Sequence, residues 1–382
     1  MQAFRFEPTR LPPDAEALRG EVRDFLAEAM PNRSAVHRAT SWSGWDPGFS
    51  RKLGERGWIG LTWPKRYGGH ERSAFERYVL LEELLAAGAP VSAHWVADRQ
   101  SGPLLLRFGT EAQRQAILPR IARGELYFCI GMSEPDSGSD LASIRTRAIR
   151  QDGGYLVNGT KVWTSNAQHC DYMIALFRTD PNAESKHQGL SQFLVPTKTK
   201  GISIRPIRNL AGEEHFNEVV FQDAFIPADS LVGKEGEGWK QVTTELAFER
   251  SGPERYLSSF QLLLELIREI SQDPSERGAL AVGRLVAHLA TIRQMSISVS
   301  GLLQQKIDPA LEASVVKDLG TNFEQELPEV AQMLIDCEPS ANSAQDFEQV
   351  LAHLRQIAVS FTLRGGTREI LRGIIARGLG LR

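Results

Sequence analysis

Three short stretches hold the residue types from which an active site could be assembled. The first, "GMSEPDSGSDLASIRTRA", runs on shortly into "YLVNGTKVWTSNAQHCDYMIALFRT". It offers a turn of small residues at Gly138 and Ser139, where backbone N–H groups can approach an anion. It also offers a flat aromatic at Trp163 on a strand-like run. The second stretch, "ELAFERSGPERYL", carries the carboxylates of Glu245, Glu249 and Glu254, each able in principle to act as a general base. The third, "SFTLRGGTREILRGIIARGLG", places Gly365-Gly366 between two helical runs. Local physics also supplies ordinary structural readings. The small residues suit a turn, Trp163 suits a buried β-domain aromatic, and Glu249 suits a solvated carboxylate paired with Arg250 or Arg255. The glycine pair suits a helix break, because glycine weakens helix by roughly 1 kcal/mol relative to alanine. After that break, Thr367 is placed to cap a new helix with Glu369 in its first turn and Ile370, Leu371, Ile374 and Ile375 as its apolar face.

The elements that must position these residues follow from periodicity. After Pro12-Pro13, Asp14 is expected to cap a helix whose apolar positions are Leu18, Val22, Phe25 and Leu26. Helical text continues to about residue 125, interrupted by the turn-rich "GWIGLTWPKRYGGHE". Short β-rich runs follow: "GGYLVNGTKVWTS", "YMIALFRT", "SQFLVPT", "GISIRPI" and "NEVVFQDAFIP", punctuated by Gly, Asn, Asp and Pro. The chain then returns to helix. Tyr256, Phe260, Leu263, Leu264 and Ile267 form one apolar stripe, and Leu285, Leu289, Ile292, Val299 and Leu303 form another. The expected fold is mostly α with a central β domain, divided as a helical domain over residues 1–127, a β domain over 128–235 and a helical domain over 236–382.

Composition narrows the function classes. The chain has 382 residues, of which 42% are hydrophobic and 24% charged, enough for a substantial core. A net charge of -3 without a Lys/Arg-dense stripe argues against nucleic acid as a partner. No apolar run reaches the roughly 18 residues of a membrane span, and a cytoplasmic location is expected. Cys129, Cys170 and Cys337 are odd in number and far apart, so neither a disulfide framework nor a metal site is indicated.

The ordered motifs Ser133-Glu134-Pro135, Gly138-Ser139-Asp140, Asn158-Gly159, Lys161 and Trp163-Thr164-Ser165-Asn166 together resemble the acyl-CoA dehydrogenase flavoprotein family. With "GLTWPKRYGG", the resemblance spans at least residues 14–250. It implies an N-terminal helical bundle, a middle β-barrel and a C-terminal four-helix bundle, with FAD as cofactor. A flavin ring needs a flat apolar neighbour and hydrogen-bond partners along its edges. By the resemblance, Trp163 covers one ring face, and Thr164 and Ser165 follow it toward N5. Ile130, Met132 and Ser133 meet the pyrimidine edge, and Gly138 and Ser139 lie near the pyrophosphate. Ser139 also belongs to the substrate-binding set, with Arg250 and Gly365.

Members of the family oxidise an acyl-CoA to the 2-enoyl-CoA, with a carboxylate as base. In most, that base is the Glu of a Glu-Gly-Thr motif, and here Gly365 stands at its place before Gly366-Thr367. A minority carry the base in a Glu-Arg pair on the first helix after the β domain, and Glu249-Arg250 matches that pair. The resemblance therefore makes Glu249 the base, with Glu245 and Glu254 as weaker rivals. A carboxylate introduced at 365 is expected to restore turnover lost at 249 if both positions face one carbon.

The resemblance frays where homotetrameric members hold the neighbour's FAD adenosine half. Arg277-Gly278-Ala279-Leu280 lacks the aromatic expected there, and "AQMLIDCEPSANSAQDF" lacks a glycine turn. The chain is similar to the base-bearing subunit of heteromeric, steroid-type bacterial enzymes, which assemble as α2β2 with a homologous second subunit. A homotetramer or homodimer is the alternative. Implied partners are an acyl-CoA with a bulky or branched group, steroid-derived groups included, and an electron-transfer flavoprotein. The rival functions are a non-catalytic scaffold subunit and an oxygen-reactive flavin enzyme on the same fold.

Overall fold

The structure, a computed structural model, describes residues 4–248 and 250–381, with the side chains of 244–248 outside the description. Helices come first: α1 (Pro13–Ala29), α2 (Ala35–Ala39), α3 (Pro47–Glu55), α4 (Ala74–Ala86), α5 (Ser92–Val96), α6 (Gly102–Phe108) and α7 (Glu111–Ala122). Strands β1 (Phe128–Gly131), β2 (Arg147–Gln151), β3 (Gly154–Ser165), β4 (Tyr172–Arg178), β5 (Leu190–Pro196), β6 (Ile202–Ile207), β7 (Phe216–Pro227) and β8 (Leu231–Val232) follow. The chain closes with α8 (Gly238–Phe248), α9 (Phe260–Gln272), α10 (Glu276–Gln304), α11 (Ala310–Leu334), α12 (Asp346–Ile357) and α13 (Arg368–Gly378). By internal contact the chain divides into two compact units. One comprises residues 1–46, 72–92 and 247–382, the other 47–71 and 93–246, so the division runs through the N-terminal helical segment.

In the second unit the strands form one eight-stranded sheet ordered β6-β7-β3-β2-β4-β5-β8, with β1 added in parallel to β4. The end strands β6 and β8 do not pair with each other, so hydrogen bonding does not close the expected barrel. The long strands β3 and β7 run antiparallel as its spine, from Gly154 opposite Pro227 to Ser165 opposite Phe216. Their register slips twice, between Val157 and Gly159 and between Lys161 and Thr164. The first slip explains Asn158-Gly159. Gly159 has φ +145°, and a β-carbon there would stand 2.7 Å from the Thr146 Cα. The Asn158 amide meanwhile exchanges hydrogen bonds of 2.9 Å with Asp223. The strands β1, β2 and β8 went unread as separate elements in the sequence; each is short.

In the first unit α1 packs on α4, and α9, α10, α11 and α12 pack together with α13 against α11. Leu18, Val22, Phe25 and Leu26 are all buried, as their spacing requires. The N-cap of α1 is Pro12 rather than Asp14, which falls inside the first turn behind Pro13. Proline at the first helical position needs no N–H, so the helix starts two residues earlier than a cap at Asp14 would set it. Of the expected stripe Tyr256 and, on α9, Leu263 are buried, whereas Phe260, Leu264 and Ile267 are only half-buried; Leu262 and Leu266 are buried in addition. On α10 the stripe through Leu285, Ile292 and Val299 is buried as expected.

α4 also carries two carboxylates into this core. Glu82 accepts from Arg293 at 2.7 Å, from Arg19 at 2.9 Å and from the Tyr78 hydroxyl at 2.8 Å, and Tyr78 in turn bonds Tyr256 at 2.7 Å. Burial pushes Glu82 up, but hydrogen bonding and charge from Arg293 outweigh it and hold the carboxyl below its ordinary value.

Candidate active site

In the sheet unit, β1 ends at Gly131 and delivers Met132 and Ser133 into a loop. Ile130 is the one residue of β1 that is not fully buried, and Met132 and Ser133 are half-buried. The loop is fixed from beneath by Lys161, whose side chain has no exposed surface. Its Nζ donates to the Met132 carbonyl at 3.0 Å and to Glu134 Oε1 at 2.8 Å. Glu134 also accepts from the backbone N–H groups of Arg145 at 2.6 Å and Thr146 at 2.9 Å. Burial pulls the Lys161 ammonium down to about 8, with Glu134 acting in the opposite direction. Glu134 is raised by its own burial, but the charge of Lys161 more than offsets this and leaves it below its ordinary value. At neutral pH the pair is therefore ionised. A second tie runs from Val162 N–H to the Ser133 carbonyl at 2.9 Å, so the loop is bonded to β3 at its second register slip.

Within that slip stands Trp163. Its φ is +60°, in the left-handed region, and its side chain is 58% exposed despite its size. A bulky residue there is strained by about 1–2 kcal/mol, which marks a place held by its surroundings for a purpose other than stability. Phe216 meets the indole edge-on at 6.0 Å and fixes its tilt, leaving a broad aromatic surface bare. Ser165, two residues on, is half-buried opposite Phe216. Thr164 differs from its neighbours in being wholly buried, with its carbonyl accepting from Asn217 Nδ2 at 3.0 Å. The register slip between Lys161 and Thr164, not regular alternation, turns it inward, where it helps to position the strand.

Gly138 and Ser139 lie exposed in the next loop, after the bridge between Glu134 and Ser137. No atom lies within 4 Å of the place a β-carbon on Gly138 would take, and its φ is not left-handed, so the chain itself does not demand glycine there. The space beside it is open to a bound group. Bare Trp163, half-buried Ser133 and Ser165 hydroxyls and open Gly138 together fit an isoalloxazine with its pyrophosphate.

The other unit holds the second set of residues. Gly365 and Gly366 have φ of +67° and +102°, a turn that only glycine adopts easily. Thr367 caps α13, its hydroxyl accepting from Ile370 N–H at 3.5 Å. Of the expected apolar face only Leu371 is buried, and Ile370 is 40% exposed. The buried Arg250 donates from Nε to the Gly365 carbonyl at 3.0 Å, so it organises this turn. Arg255 lies beside the same turn, its guanidinium 5.7 Å from the centre of the Trp42 ring. Glu254 is buried. Glu249 and the side chain of Glu245 fall outside the described residues.

Sequence reasoning quoted Glu134 and Lys161 as motif letters without a role. Their pairing across 27 residues is a tertiary fact, and the signal for it was a lysine inside an otherwise strand-like run. Arg255 was noted only as a partner for a surface carboxylate, although it is 2% exposed. Arg277 lies in the first turn of α10 and donates to the Met333 carbonyl at 3.1 Å, and Leu280 is 58% exposed.

Among the described residues no helix is long and apolar enough to cross a membrane. The family descriptions "Acyl-CoA dehydrogenase, N-terminal domain" and "Acyl-CoA dehydrogenase, middle domain" match residues 12–125 and 129–224. The chain is 34% identical to the acyl-CoA dehydrogenase FadE26 of Mycobacterium tuberculosis, over 97% of each chain. Among solved structures it is similar to a Tcur3481-Tcur3483 steroid ACAD, with a TM-score of 0.87 and 28% identity over 97% of this chain and 98% of that one. It is likewise similar to the ChsE4-ChsE5 complex from Mycobacterium tuberculosis, with a TM-score of 0.85 and 31% identity over 98% of this chain and all of the other. The chain belongs to the acyl-CoA dehydrogenase family and is an oxidoreductase of that kind.

Proposed function

We propose that the chain carries out FAD-dependent α,β-dehydrogenation of an acyl-CoA thioester, with Glu249 as the base. The observation that supports this most is the turn at residues 365 and 366, where two left-handed glycines and the Arg250 bond leave no carboxylate at the commoner base position. Glu249 is adjacent in sequence to that same Arg250. In this reading the Glu249 carboxylate takes the proton as the α C–H bond breaks. The Gly365 N–H would donate to the thioester oxygen and so lower the cost of the negative charge developing there. Bound flavin supplies the acceptor for the β-hydride. Trp163 covers a ring face, Ser133 and Ser165 offer hydroxyls to the ring edge with Ile130 and Met132 beside them, and Gly138 and Ser139 leave room for the pyrophosphate.

The acyl group is bulky or branched, and steroid-derived groups are favoured because relatives of this chain bear the name steroid ACAD. The names of two neighbouring structures join two proteins, which supports an assembly with a homologous second subunit. Electrons leave to an electron-transfer flavoprotein. The test is anaerobic bleaching of bound flavin by a panel of acyl-CoA thioesters, steroid thioesters included, with the chain alone and co-expressed with a homologous partner. Bleaching with slow reoxidation in air is expected. Rapid reoxidation would favour an oxygen-reactive enzyme, and a complex whose bleaching ignores Glu249→Gln would favour a scaffold subunit.

A further inference from the structure

The carboxylate read as base stands just past the end of a helix. α8 closes at Phe248, Gly252 is extended with ψ of 173°, and the described residues that follow, 250–256, hold one short turn at Pro253–Arg255. A base on a continuing helix is held by the helix's own hydrogen bonds. Here bonds from distant elements have that task, and two of them come from buried hydroxyls. Ser296, on α10, is 1% exposed, and its Oγ donates to the Ser251 carbonyl instead of folding back on its own helix. Tyr256, at the far end of the segment, is equally buried, and its hydroxyl meets that of Tyr78 on α4 at 2.7 Å. Tyr78 gives its proton to Glu82 Oε1 at 2.8 Å, so Tyr256 is the donor to Tyr78. Glu82 is in turn fixed by Arg293 at 2.7 Å and by Arg19 at 2.9 Å. Burial pushes both phenols up, which keeps their protons in place at neutral pH. Phenylalanine and alanine would fill the same core without having to bury a polar atom. Core stability alone therefore does not account for the three hydroxyls.

We propose that Ser296 and Tyr256 are positioning residues for the base: they pin the irregular segment behind Glu249 at both ends, Ser296 at the Ser251 carbonyl and Tyr256 through Tyr78 to the ionised Glu82, and so set where the carboxylate meets the substrate. This rests on the dehydrogenase reading with Glu249 as base. Ser251 is two residues from Glu249, so slack at its carbonyl is passed to the base through little more than one peptide unit. Proton abstraction is sensitive to such slack, since a misplacement of about 1 Å can slow a reaction by about a hundredfold.

The experiment compares Tyr256→Phe, Ser296→Ala and the double variant Tyr78→Phe/Tyr256→Phe with Val22→Ala, a control that loosens α1 against α4 without touching a hydroxyl. All are used as the flavin-loaded protein. Anaerobic mixing with an acyl-CoA that bleaches the unmutated protein gives the limiting rate of flavin reduction and the half-saturating concentration. Tyr256→Phe and Ser296→Ala are expected to reduce at least about tenfold more slowly, with half-saturation changed by less than about twofold, because placement and not binding is lost. Val22→Ala is expected to keep the unmutated rate. The double variant should be no slower than Tyr256→Phe, since Tyr78 acts on the segment only through Tyr256. Amide exchange of residues 250–257, followed by mass spectrometry without substrate, is expected to quicken about tenfold in Tyr256→Phe and Ser296→Ala and to stay unchanged in Val22→Ala. Unchanged exchange in the two hydroxyl variants would overturn the proposal. Quicker exchange with an unmutated rate of reduction, or equal slowing in Val22→Ala, would do the same. Failure of the underlying reading shows separately, as no bleaching of the unmutated protein or as unaltered reduction in Glu249→Gln.

Discussion

Lys161 reaches Glu134 at 2.8 Å from a position with no exposed side-chain surface, and the same ammonium holds the Met132 carbonyl at 3.0 Å. One buried cation thus ties the end of β1, the Ser133 loop and β3 into a single frame. Breaking a buried pair from one side strands the other charge. Lys161→Met is expected to cost about 3–5 kcal/mol in denaturant unfolding of the sheet unit and to lower bound flavin in parallel. Adding Glu134→Gln should recover part of the loss, because the remaining amide carries no charge to strand. A Lys161→Met protein with unchanged unfolding and flavin content would remove the frame from the account.

Trp163 gives a prediction of opposite signs for stability and binding. Its φ of +60° costs energy that glycine would not incur, while its exposed indole is the surface offered to the flavin ring. Trp163→Gly is expected to raise apoprotein stability by up to about 1 kcal/mol and to weaken FAD binding by about tenfold, the scale of one lost aromatic contact. Flavin titration and unfolding of the same preparation check both. A variant that loses stability without losing flavin would make Trp163 an ordinary structural aromatic.

Acid stability follows from Glu82 and Glu134. Both carboxyls sit below their unfolded value of 4.5 in the folded chain: burial raises each, and partners outweigh it, Arg293 foremost for Glu82 and Lys161 for Glu134. A depressed carboxyl contributes stability that is present above the unfolded value and lost as pH falls through the folded one. Melting temperature should therefore hold between pH 7 and about 5 and fall steeply below about 4.5. In Glu82→Gln that fall should be shallower, from a lower starting point. An acid limb unchanged by the substitution would assign it to other groups.

The helix-strand-helix order and most elements were legible because their periodicity is local. Leu18, Val22, Phe25 and Leu26 on α1, and Thr367 at the head of α13, needed only spacing and a cap. Asp14 was misread because a proline already fixed the helix start. On α9 the expected Leu263 is buried, but the burial of Leu262 and Leu266 beside it depends on which neighbours arrive, and helical period alone leaves that face free to rotate by a residue. The residue types of the candidate site were legible as motifs. Its support was not: the left-handed Trp163, the buried Lys161–Glu134 pair and the Arg255 head beside Gly365 each depend on segments far apart in sequence. The inward face of Thr164 was hidden for the same reason, since strand alternation is interrupted by a register slip just before it.

The central claim is that Glu249 removes the substrate proton, and rapid anaerobic mixing of flavin-loaded Glu249→Gln with an acyl-CoA that bleaches the unmutated protein tests it most directly. Glutamine keeps the shape and removes the base. The account predicts retained FAD and flavin reduction slowed by at least about a hundredfold, the lower bound for a lost general base. Reduction within a few-fold of the unmutated rate would contradict it.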